Sequence, residues 1–176
     1  MIRTATVALL LASATACSPA TAAPTTPTTP ATASGQPVYA ATATGCHVVD
    51  GRADTHCTPG VRNPQVTQLN IASTICKPGW TATVRPPASY TDQLKVKQMR
   101  AYGETGPVSG FEEDHLIPIE AGGNPTDPAN LWPEPRSGAR AASVKDAAEN
   151  AVKKAICNGR LTLAEGQAQI LRDWTH

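Results

Sequence analysis

The chain has 176 residues, a formal net charge of +1, five cysteines, four histidines and a single phenylalanine. So nearly neutral a balance excludes the bulk electrostatic attraction by which basic proteins coat nucleic acid or acidic surfaces. The length suits one compact domain with non-globular sequence attached.

The first segment, MIRTATVALLLASATAC, carries one basic residue, an apolar run too short to span a bilayer, and then small residues. That layout predicts a secretory signal over residues 1–16. The ATAC ending also reads as a loose lipobox. The expected product is therefore either freely secreted or lipid-anchored outside the cytoplasmic membrane through Cys17. Residues 17–44 form an uncharged Pro/Thr/Ala tract that cannot bury a core and reads as an extended tether. The folded domain is expected over 45–176.

An odd cysteine count in an exported chain needs an explanation. With Cys17 lipidated or removed, Cys46, Cys57, Cys76 and Cys157 remain to form two disulfides. Three connectivities are formally open. The expected one closes a local loop with Cys46–Cys57 and ties mid-domain to a C-terminal helix with Cys76–Cys157. No Cys-x-x-Cys pair favours zinc instead.

Within the domain, RNPQVTQLNIASTIC predicts a short helix, with Asn63 as N-cap and Pro64 at the first helical position. GWTATVRPP reads as extended and proline-stopped. SYTDQLKVKQMRAYG reads as a helix stopped at Gly103. FEEDHLIPIE, broken by Pro118, predicts an edge or bent strand. AGGNPTDPAN is loop-forming, and NLWPEP is extended. From about Ala139 to Ile156 an apolar stripe of Ala141, Val144, Ala148, Ala151, Val152 and Ala155 predicts a helix. Asn158-Gly159 stops it, and Thr162 with Glu165 forms a capping box for a last helix to about Trp174.

The order around His115 is strand, loop, strand, helix. A carboxylate beside a histidine suits metal-assisted hydrolysis, in which the acid holds a cation and the imidazole takes a proton from water. Adjacent strand residues point to opposite faces, so Asp114 and His115 share a site only where the backbone bends. Glu112 and Glu113 read as a solvated acidic rim.

DHLIP, a Gly-Gly loop and Asn130-Leu131 resemble the His-Asn-His endonucleases of the ββα-metal superfamily, over about residues 111–150. A wider span, 57–174, resembles a group of small exported bacterial proteins carrying EEDHLIP, GG and NLWPEP. The endonuclease resemblance implies an α+β fold: a small disulfide-braced domain with a ββα-metal core and flanking helices. It implies a divalent metal ion (Mg, Mn or Zn), Asp114 as a ligand, His115 as general base, and Asn130 bracing the histidine-bearing loop. Those nucleases place a His or Asn early in the helix, where RSGARAASV has neither. Some relatives use a helical glutamate. Glu149, at the edge of the apolar stripe, is then preferred over Asp146, which lies nearly opposite it. Lys145 and Arg136 are the cations expected to hold substrate phosphate.

The implied function is an exported nuclease that hydrolyses nucleic-acid phosphodiesters, DNA rather than RNA, as a monomer. The alternative is a non-catalytic cell-envelope protein that retains a nuclease-like fold, with Asp114-His115 as structure or as a plain metal clip. A hydrolase of some other envelope phosphodiester stands third.

Overall fold

The computed structural model describes residues 44–174. The expected signal, the lipidation site at Cys17 and all of the tether but Thr44 lie outside the described residues. The domain is mixed α+β, with helices around a two-stranded antiparallel sheet. Two disulfides brace it, Cys46–Cys57 and Cys76–Cys157. This is the pairing expected from the sequence, and it suits an oxidising, extracytoplasmic compartment. Among the described residues no helix is long and apolar enough to cross a membrane.

Helix α1 (Trp80–Val84) occupies the segment expected to be extended. Gly79 enters it in a left-handed conformation, and the Thr83 hydroxyl bonds back to the Trp80 carbonyl. Pro86 and Pro87 stop it, since neither can donate the next helical hydrogen bond. Pro87 then serves as the N-cap position of α2 (Ala88–Ala101). The helix expected from Asn63 does not form there. The Asn63 side chain instead accepts the Gln65 amide in a local turn. A 3-10 turn starts only at Gln68, fixed by reciprocal bonding between Thr67 and Asn70.

Strand β1 (Phe111–His115) pairs antiparallel with β2 (Leu131–Pro135). The register sets Glu112 opposite Glu134, Asp114 opposite Trp132, and His115 opposite Leu131. Helix α2 packs against both strands. Helix α3 (Ala142–Cys157) follows β2 and packs against α4 (Leu163–Arg172) and the turn at Ile119–Ala121. Gly159, at φ +71°, takes the left-handed position that closes α3. The Thr162–Glu165 capping box opens α4, which ends at Arg172, two residues before the expected limit.

The buried face of α3 is Ala142, Lys145, Glu149, Val152 and Ile156, which overlaps the apolar stripe read from the sequence at Val152, with Ala148 and Ala155 half-buried at its edge. Val144 and Ala151 are exposed. The reason is that two charged residues are buried as a pair, so apolarity alone misplaces the face by part of a turn. One core cluster gathers Val66, Ile75, Val152, Ile156, Ile170 and Trp174. A second gathers Cys46, Ala53, Tyr102, Leu116 and Trp132. The Cys76–Cys157 bridge pins the C-terminal end of α3, the helix that brings two charged side chains to the sheet.

Candidate functional site

Alternation along β1 puts Glu112 and Asp114 on one face of the sheet. The register adds Glu134 from β2, directly across from Glu112. One carboxylate oxygen from each of the three lies within 4.8 Å of the others. Ligand bonds of about 2.0–2.6 Å would span that spacing, so a single divalent cation fits among them. Glu134 is only 1% exposed, and its Oε1 is buried without a hydrogen-bond partner. Burial pushes its carboxyl up to about 9, with the charges of Asp114 and Glu112 acting the same way. Glu112 is tied at the rim by Arg136, whose Nη1 lies 2.7 Å from Oε2.

Helix α3 brings in Lys145 and, one turn on, Glu149. Lys145 is 1% exposed. Its ammonium donates to Asp114 Oδ2 at 2.5 Å, to the His115 carbonyl at 2.9 Å, and to Glu149 Oε1. All three of its N–H bonds are therefore used. Burial opposes its charge, but the fields of Asp114, Glu149 and Glu134 prevail and raise its pKa. Glu149 is pushed up by burial, against the pull of Lys145.

These contacts correct two expectations. Lys145 is not available to a substrate phosphate, because its donors are consumed inside the protein. Asp114 and Glu149 do converge, but on this ammonium, which stands where a shared cation was expected. Arg136 sits half-exposed at the rim, and its Nε also donates to the Phe111 carbonyl.

His115 is 5% exposed, and its Nε2 lies 2.9 Å from the Pro125 carbonyl. A carbonyl can only accept, so Nε2 carries the hydrogen and Nδ1 keeps the lone pair. Burial lowers the pKa of the ring. It is therefore neutral near pH 7, the form a general base requires.

Asn130 occupies the centre of the connecting loop. Its Oδ1 accepts from the Val61 and Ile117 amides, and its Nδ2 donates to the Ile117 and Asn124 carbonyls. The loop closes so tightly that a Cβ on Gly123 would lie 1.8 Å from the Ile117 carbonyl oxygen. Only glycine fits there. The side chain of Asn130 thus holds the segment that follows the histidine against the segment that supplies the histidine's carbonyl partner.

Asp114 and His115 both open on one cleft of about 220 Å³, with Glu112, Glu113, Glu149 and Arg85 among its other walls. Glu113 is not a solvated rim residue. Both its carboxylate oxygens are buried without partners, and burial pushes the group up to about 9.

Sequence reasoning missed Glu134 and Arg85 as parts of the site and gave Glu112 to the surface. Glu134 was findable: pairing EEDH with NLWPEP in a short antiparallel register sets it against Glu112. Arg85 carried no such signal, because it reaches the cleft from a separate connection before α2.

Comparison of the chain with family models, with curated proteins and with solved structures returned no match.

Proposed function

We propose that the protein is an exported, metal-dependent nuclease, with the strand–loop–strand–helix unit of β1, β2 and α3 serving as a ββα-metal core. The observation that carries this reading is the cluster of Glu112, Asp114 and Glu134, two of which, Glu112 and Asp114, line the cleft that His115 also lines, while Glu134 is buried behind them. The donor set is all carboxylate oxygen, which favours Mg²⁺ or Mn²⁺ over Zn²⁺. A divalent cation held there would stabilise charge on the phosphate and on the leaving oxygen.

The rest of the chemistry falls to the chain. His115 Nδ1 takes a proton from water while Nε2 stays bonded to Pro125. The hydroxide oxygen bonds to phosphorus as the P–O ester bond breaks, and the leaving oxygen is protonated from solvent. Asn130 keeps the imidazole loop from shifting. The substrate in this reading is a nucleic-acid strand, DNA before RNA, as the endonuclease resemblance implies. The near-neutral net charge of +1 supplies no bulk attraction to it and favours the non-catalytic alternative.

One observation favours the second reading, a non-catalytic envelope protein. Lys145 already neutralises the Asp114–Glu149 pair, as an internal cation would in a purely structural site. Titration of the oxidised protein with Mn²⁺, followed by electron paramagnetic resonance, separates the two. The nuclease reading expects saturable binding that weakens at least tenfold in Glu134→Gln. Absence of binding in the folded wild type would favour the structural alternative.

A further inference from the structure

The nuclease reading leaves the site short of a substrate-binding cation. Lys145 is sealed inside the protein, and Arg136 is engaged by Glu112 and the Phe111 carbonyl. A phosphodiester entering a cleft walled by Glu112, Glu113, Asp114 and Glu149 finds little to attract its charge, since Glu113 stays protonated and Asp114 and Glu149 already share Lys145. A metal ion on one wall offsets part of this, but a second positive group is needed to hold the other non-bridging oxygen.

We propose that Arg85 is that group: its guanidinium binds the phosphate of the substrate across the cleft from the carboxylate cluster. This rests on the nuclease reading above. Among the described residues, Arg85 is the one arginine or lysine lining this cleft, and no ion pair or hydrogen bond engages its side chain. It is exposed, so its head is free to meet a ligand. Arg85 and His115 line the same cleft.

The backbone that carries Arg85 is held firmly. The residue caps α1 in an extended conformation, with φ −64° and ψ 129°, and its amide donates to the Thr81 carbonyl at 3.0 Å. Pro86 and Pro87 follow, each with φ locked by its ring. The fixed backbone presents an unengaged guanidinium at the cleft, and its planar fork can offer two parallel N–H donors to one phosphate.

The test is equilibrium binding of a short fluorescent single-stranded DNA to the oxidised protein. Ca²⁺ replaces Mg²⁺ to suppress turnover, and the steady-state cleavage rate is measured separately with Mg²⁺. Loss of one charge-assisted phosphate contact should weaken binding by about tenfold or more in Arg85→Gln. It should also flatten the plot of log affinity against log salt by about 0.7. Arg85→Lys should recover part of the affinity. Arg100→Gln, which removes the same charge beside a separate cavity at Thr44–Gly45, should change neither quantity. Wild-type binding and cleavage with Arg85→Gln indistinguishable from Arg100→Gln would overturn the assignment and leave the nuclease reading standing. A folded wild type that neither binds nor cleaves would overturn both.

Discussion

Replacing Lys145 by methionine removes the ammonium while keeping most of the volume of the side chain. In the native protein that ammonium serves Asp114, Glu149 and the His115 carbonyl at once, and it is 1% exposed. Three acceptors would lose their donor together. Breaking a buried ion pair from one side costs about 3–5 kcal/mol, because the partner charge stays behind without compensation. Glu149 softens the loss. Burial already raises its pKa, so it can take up a proton and donate to Asp114. We therefore expect Lys145→Met to be destabilised by about 3 kcal/mol at pH 7 in urea denaturation. The substitution also frees Asp114 and Glu149, which already converge, to hold a cation in the lysine's place. Adding Mn²⁺ at about a hundred times its dissociation constant should then restore about 2.7 kcal/mol. A loss below about 1 kcal/mol, or no response to the metal, would refute the claim that the ammonium fills a cation position.

Two further outcomes concern stability. The bridge between Cys76 and Cys157 spans 81 residues and that between Cys46 and Cys57 spans 11. Chain-entropy arguments put their contributions at about 4.5 and about 3 kcal/mol. The Cys76→Ser/Cys157→Ser double variant should therefore show the lower denaturation midpoint, and the reverse order would contradict that account. Glu113 keeps its proton to about pH 9 when folded but ionises near its ordinary value of 4.5 when unfolded. Between those limits the folded state binds more protons, so this group makes stability fall as pH rises, by about 1.4 kcal/mol per unit. Glu113→Gln should remove that slope and be more stable than wild type at pH 8. Parallel pH profiles for the two proteins would rule the effect out.

The elements with strong local signals were legible. Asn158-Gly159 and the Thr162–Glu165 box mark helix ends through backbone chemistry that acts within a few residues. The two strands were legible as segments set apart by a dense turn sequence, but the first ends at His115. The apolar residues after it, read as part of the strand, lie in bends and a 3-10 turn. The α1 segment misled because its Thr and Val favour extended structure, while a five-residue helix is decided by its glycine entry and proline exit. In the site, the Asp-His pair and Asn130 stood out as rare residues in a short motif. Lys145 did not, because its role depends on which face of α3 is buried, and a lysine counts as polar in any periodicity reading. Glu134 becomes visible only once the strands are paired, and Arg85 only in three dimensions.

The central claim is that His115 and the neighbouring carboxylates hydrolyse phosphodiesters with a metal ion. Its most direct test incubates the oxidised wild type and His115→Ala with plasmid, single-stranded DNA and RNA, in Mg²⁺, Mn²⁺, Zn²⁺ or EDTA. Cleavage by the wild type with Mg²⁺ or Mn²⁺, lost with EDTA and lost in His115→Ala, is the result predicted here. No cleavage with any cation by a folded wild type, or cleavage that survives the loss of His115, would contradict it.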